Sequence, residues 1–153
     1  MLMLRRAAFC LGLLVAGWST GCGPAAPPPE ELVPVSGTVR VGGKPQGGVR
    51  VMFLPEGETG GMGGVGVTDD TGRYTLMHRT QKEGVPAGKY AVVFSRFLTA
   101  DGKPVPPETS PYMSGGRESI PAQWSDPTKK GPHNSTTVPE GGKDNLDFAI
   151  PGK

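Results

Sequence analysis

Apolar and polar residues alternate along most of the chain after residue 32, and that period-two pattern predicts half-buried β-strands. Val33, Val35, Val39 and Val41 share one face, interleaved with Ser36, Thr38 and Arg40, and Gly42-Gly43-Lys44-Pro45 ends the run with turn residues. Val49, Val51 and Phe53 repeat the alternation up to Pro55. Val65 and Val67 lead into Asp69-Asp70-Thr71-Gly72, a hairpin-type turn with glycine at the positive-φ position, and Tyr74 and Leu76 resume beyond it. Tyr90, Val92 and Phe94 follow Pro86-Ala87-Gly88. Thr137-Val138 is expected to pair, through a Gly141-Gly142 turn, with Leu146, Phe148 and Ile150. No stretch beyond the N-terminal segment sustains the apolar spacing of a helix, so the predicted class is all-β. Six or seven short strands fit a two-sheet sandwich whose core is these alternating apolar residues, roughly 15 of them.

The N-terminus has a different texture. Arg5 and Arg6 precede an apolar run from Ala7 to Gly17, too short for a bilayer span of about 20 residues but suited to an export signal. The run closes at Ser19-Thr20-Gly21-Cys22, which resembles the lipobox of bacterial lipoproteins, with Ser19 where that family usually carries Leu. The resemblance implies cleavage after residue 21 and acylation of Cys22, each buried methylene of the added chains contributing about 0.8 kcal/mol of membrane affinity. The alternative is ordinary signal-peptide cleavage that leaves Cys22 a free thiol. Gly23, in place of an Asp that would favour inner-membrane retention in Gram-negative lipoproteins, points to the outer membrane. Residues 22–32 (CGPAAPPPEEL) form a proline-rich tether, with Pro27-Pro28-Pro29 favouring extended polyproline II at about 3.1 Å per residue. The predicted organisation is therefore a signal peptide at 1–21, a tether at 22–32 and a β-domain at 33–151.

Composition sharpens this picture. The chain holds 25 Gly and 17 Pro among 153 residues, a share that would suggest disorder if it were evenly spread. It is not: prolines load the tether and the stretch 98–134, while many glycines sit at turns between alternating segments. The formal charge of +2 (16 basic, 14 acidic) includes Arg5 and Arg6, so the chain beyond the signal is neutral. With no basic stripe to neutralise phosphates, nucleic-acid binding is not expected. Cleavage at Cys22 removes Cys10, so no intramolecular disulfide is expected despite an oxidising destination.

Three segments carry a family resemblance: VSGTVRVGGKPQGGVRVMFLP (35–55), GVTDDTGRYTL (66–76) and VPAGKYAVVF (85–94). Their order and spacing resemble the carboxypeptidase regulatory-like, or transthyretin-like, domain family. The tail IPAQWSDPTKKG followed by LDFAI is similar to the closing segment of short bacterial lipoproteins with this domain. The resemblance covers most of residues 33–151. It implies a prealbumin-like Greek-key β-sandwich of about seven strands, non-catalytic and serving as an accessory or interaction module in the cell envelope.

Motifs with possible chemistry read mostly as turns. Gly61-Met62-Gly63-Gly64-Val65-Gly66 matches the dinucleotide spacing G-x-G-x-x-G, but a strand follows it where that site needs a helix, so no cofactor is expected and 56–64 reads as a mobile loop. Asp69-Asp70-Thr71-Gly72 lacks the twelve-residue ligand spread of an EF-hand. His78 and His133 are the only histidines and lie far apart, so neither a metal site nor a Ser-His-Asp triad is expected, and His78 reads as solvated at a strand end. One transthyretin-like branch hydrolyses 5-hydroxyisourate with a C-terminal Tyr-Arg-Gly-Ser motif; this chain ends Phe148-Ala149-Ile150-Pro151-Gly152-Lys153 and lacks it.

The stretch from Leu98 to Asn134 is long for a connection in a compact domain, where more than about 12 to 15 unstructured residues signal function or disorder. Two readings of its aromatics stay open: Tyr112 and Trp124 form a platform for a glycan or peptide, or Ile120 and Trp124 pin the loop onto the sandwich. The expected function is that of a lipid-anchored, non-catalytic envelope protein. A glycan- or peptide-binding module is the alternative, with a transthyretin-like hydrolase behind it.

Overall fold

The computed structural model describes residues 30–106, 108–129 and 131–152. Cys22, the signal segment and the tether up to residue 29 lie outside the described residues. Thirteen strands follow in chain order: β1 (Leu32–Val33), β2 (Ser36–Val41), β3 (Lys44–Pro45), β4 (Arg50–Glu56), β5 (Gly64–Val67), β6 (Arg73–Thr75), β7 (Met77–His78), β8 (Val85–Pro86), β9 (Gly88–Ser95), β10 (Phe97–Leu98), β11 (Arg117–Glu118), β12 (Ser135–Val138) and β13 (Phe148–Ile150). The α-helical turn α1 (Ala122–Ser125) and two 3-10 turns stand between β11 and β12. The all-β expectation holds.

The strands form two principal layers. One is a five-stranded antiparallel sheet in the order β12-β9-β4-β5-β7. The other centres on β2, which takes β13 on one side and β3 and β6 along the other. Alternation puts Val51, Phe53, Tyr90, Val92 and Phe94 on the inner face of the first layer. Val35, Val39, Tyr74, Phe148 and Ile150 come from the second, and all belong to one buried cluster. Ring contacts knit that cluster: Phe94 meets Phe148 at 4.9 Å between centroids, and Phe53 meets Tyr90 at 5.6 Å.

The chain closes one side of this assembly with a single run that serves both layers. Arg73–Thr75 pairs with β2, the Leu76 N–H donates to the Val35 carbonyl at 3.0 Å, and Met77–His78 then pairs with β5. The turn that feeds the run is the predicted one. Asp69 Oδ1 accepts from the Thr71 N–H (2.8 Å), the Thr71 hydroxyl (2.7 Å) and the Arg73 N–H (3.0 Å), and Gly72 has φ 78°. Those donors, the Thr71 hydroxyl foremost, hold the Asp69 carboxyl below its ordinary range.

Two expectations from the pattern are overturned. In β5 the alternation is inverted: Gly64 and Gly66 face the core, while Val65 and Val67 are each 43 % exposed. The cause is the close approach of β6 over Gly66 and of β8 over Gly64. A methyl on Gly66 would lie 2.7 Å from the Thr75 carbonyl oxygen, and one on Gly64 would lie 2.5 Å from Val85 Cγ1, so only hydrogen fits there.

The expected hairpin between Thr137-Val138 and the C-terminal strand also does not form. β12 pairs antiparallel with β9, whereas β13 crosses to the other layer and runs parallel to β2. The connecting segment docks against the start of β2 instead. The Lys143 N–H donates to the Pro34 carbonyl (2.9 Å), the Ser36 N–H to the Lys143 carbonyl (3.1 Å), and the Leu146 N–H to the Ser36 carbonyl (2.9 Å). The Tyr74 hydroxyl donates to the Leu146 carbonyl at 2.8 Å inside the core. Burial of that phenol raises its pKa well above the ordinary value.

The stretch 98–134 carries local structure among its described residues. β10 pairs with β11, and the chain from Thr99 to Lys103 folds back so that the Val105 N–H donates to the Phe97 carbonyl at 2.9 Å. Glu118 anchors the return. Its Oε2 accepts from the Ser95 hydroxyl (2.7 Å), and its Oε1 accepts from the Arg96 N–H (2.9 Å) and the Ile120 N–H (2.8 Å). The stretch 56–64, expected as a loop, begins in the last residue of β4 and ends in the first of β5.

Candidate functional site

Strand β4 gives the domain two ends. At its start Arg50 stands opposite Ser95 and Val67; at its finish Glu56 stands opposite Lys89, and Phe53 opposite Gly64. Seven residues separate the ends by about 20 Å.

The described chain enters at the Glu56 end. Glu30 Oε2 lies 3.2 Å from His78 Nε2, within ion-pair range though off hydrogen-bond alignment, and Leu32 and Val33 pair with Pro86 and Val85. His78, expected to be solvated, is 4 % exposed. It stands opposite Gly64, itself a buried position of β5. The Thr80 hydroxyl lies 2.9 Å from Nδ1 and the Thr80 N–H 3.4 Å from it; with Nδ1 accepting, the ring proton falls on Nε2, toward Glu30. Tyr90 is at this end too, its hydroxyl donating to the Pro86 carbonyl at 2.7 Å. Burial foremost, then the Glu30 charge, pushes its pKa up to about 12.

The opposite end carries a cleft of about 170 Å³. Its floor is the outer face of the sheet, from Arg50, Val67 and Ser95. Phe97 and Arg96 form one wall, and the folded-back segment closes over it with Pro104, Val105 and Pro106, joined by Thr109 and Pro111. Gly48, with φ 71°, lets that segment seat, since a methyl there would lie 3.3 Å from Pro104 Cβ. Arg96 is half-buried, and its Nε donates to the Gly47 carbonyl at 3.0 Å. Desolvation lowers its guanidinium below the ordinary value. Next to Pro111 the chain exposes Tyr112 (93 %) and Met113 (89 %).

The two aromatics of the platform reading, Tyr112 and Trp124, are separated by burial. Trp124 is 7 % exposed, with its ring against Phe94 (5.7 Å) and His133 (4.7 Å). Together with Ile120 it belongs to the core, where it pins the long connection to β9. Tyr112 alone presents a free aromatic face. His133 is held by Trp124 and by an Nε2 contact of 3.3 Å to the Gln123 carbonyl, so the two histidines belong to different structural settings. Among the described residues no group of three His, Cys, Asp or Glu is placed to hold a metal, and no helix is long and apolar enough to cross a membrane.

Sequence reasoning missed the cleft. Its residues come from five separate segments, and the one available signal was the concentration of prolines after residue 103. No family model matches the chain, and no curated protein or solved structure matches it.

Proposed function

We propose that the chain is a lipid-anchored, non-catalytic β-sandwich of the bacterial cell envelope that displays a recognition end away from the membrane. Its architecture is read as a Greek-key sandwich of the prealbumin kind, acting in protein or cell-wall interaction. One observation carries the reading. The described chain enters beside Glu56 and His78, while the cleft and exposed Tyr112-Met113 lie at the Arg50 end of β4. A domain held by acylated Cys22 through a short proline-rich tether would keep its entry end near the bilayer and turn the cleft outward.

The test is fractionation of cells expressing the full chain, with mass measurement of the mature N-terminus. Wild type is expected in the membrane fraction with a diacylglyceryl mass on Cys22, and Cys22→Ala in the soluble fraction. An unacylated, soluble wild type refutes the proposal.

A second reading, glycan binding at this end, is favoured by the exposure of Tyr112, since a free aromatic face is a rigid stacking surface. A glycan array comparing wild type with Tyr112→Ala decides it, and binding by neither protein rejects it.

A further inference from the structure

The cleft at the Arg50 end combines three properties that point to one class of ligand. Its volume, about 170 Å³, matches a single ring or branched acyl body, because a cavity of roughly 150 Å³ holds benzene. Its apolar surface comes from rigid groups, chiefly Val67, Phe97 and three prolines, which lose little entropy when a ligand seats against them. Its charged lining is one-signed: Arg50 and Arg96 line it, and among the described residues no carboxylate does.

Arg96 is the sharper of the two. The carboxylate that caps its backbone N–H, Glu118, also accepts from the Ser95 hydroxyl and the Ile120 N–H. Among the described residues, Nε is the guanidinium nitrogen of Arg96 with a protein partner, the Gly47 carbonyl. A half-buried cation whose terminal nitrogens await acceptors stabilises an anion that arrives with two oxygens in one plane.

We infer that this cleft binds a compact monocarboxylate, its apolar body between Val67, Phe97 and the prolines and its carboxylate on Arg96. A free aromatic or branched aliphatic acid has this chemistry, and so does a peptide C-terminus with an apolar last residue. The inference rests on the display reading above and names what the outward end takes. Anchoring is measured by fractionation and the cleft by titration, so either can fail alone.

The experiment is an amide chemical-shift titration of the full chain in detergent with benzoate, N-acetyl-phenylalanine and neutral benzyl alcohol. Benzoate or N-acetyl-phenylalanine is expected to shift the amides of Val67, Phe97, Val105 and Thr109 saturably in the millimolar range. Tighter binding of benzoate identifies the free acid as the source, and tighter binding of N-acetyl-phenylalanine the peptide terminus. Arg96→Gln and the replacement of carboxylate by alcohol should each weaken binding about tenfold or more. Val67→Trp changes an exposed side chain on the cleft floor, so it should fill the cleft and abolish binding of every probe while leaving the melting temperature in place. Shifts that do not saturate by roughly 10 mM, equal binding of benzoate and benzyl alcohol, or unchanged binding by Val67→Trp would each overturn the inference.

Discussion

In strand β5 the glycines, not the valines, should carry the stability, and Gly66→Ala tests this directly. The backbone at Gly66 is in ordinary extended conformation, so alanine there is not opposed by φ. On propensity alone the change would stabilise by about 0.4 to 1 kcal/mol, through a less entropic unfolded chain. The structure predicts the opposite sign. The new methyl would lie 2.7 Å from the Thr75 carbonyl oxygen and 3.4 Å from Tyr74 Cδ2, and the oxygen belongs to backbone already paired with β2. Overpacking of that kind costs about 1 to 3 kcal/mol, so after the entropic gain Gly66→Ala should lose about 1 to 2 kcal/mol. In urea, with a slope of about 1 to 2 kcal/mol per molar for a domain of this size, the midpoint should fall by about 1 M. Val65→Thr and Val67→Thr, on the exposed face, should stay within about 0.5 kcal/mol of wild type. A raised midpoint for Gly66→Ala, or a Val65→Thr midpoint as low as that of Gly66→Ala, refutes the inverted register.

Two further outcomes follow from the same core. Trp124→Ala removes a ring packed on Phe94 and His133 and should cost about 3 to 5 kcal/mol in thermal melts, with faster proteolysis between residues 98 and 134; a melt and digestion pattern like wild type would show that the connection is not pinned there. The Tyr90 phenol titrates near 12 when folded against an ordinary 10.0, so the unfolded chain loses this proton first. The stability it contributes is whole below pH 10 and declines as pH rises toward 12, and Tyr90→Phe should make the alkaline limb of the stability profile shallower; an unchanged limb contradicts the assignment.

The strands that were legible are those whose alternation matches burial. Val39, Val51, Phe53, Tyr90, Val92, Phe94, Phe148 and Ile150 are all inner-face residues, as their spacing predicts. The Asp69-to-Gly72 turn was equally legible, because its side-chain acceptor and its positive-φ glycine act within five residues. β5 was misread because Gly-Val-Gly-Val alternates perfectly in either register, and hydrophobicity alone puts the valines inside. His78 was misread for a related reason: its burial follows from pairing opposite Gly64 on another strand, which its own neighbours in sequence do not reveal. The cleft was invisible in sequence, since Val67, Arg96 and Pro104 meet only after β5, β9 and the folded-back segment are in place.

The amino-acid sequence by itself determined what is local: strand positions from a period of two, turn positions from Gly, Asp and Pro chemistry, the all-β class, and the contrast between N-terminal segment and domain. Tertiary structure decided what is pairwise over long separations. It sent β13 to β2 rather than to β12, turned the valines of β5 outward, and buried Trp124 while leaving Tyr112 in solvent. The physical reason is that a strand's alternation specifies that one face is buried but not against which neighbour. That choice is made by close approaches such as Thr75 over Gly66 and by hydrogen bonds such as Lys143 to Pro34, which exist only between segments already folded together.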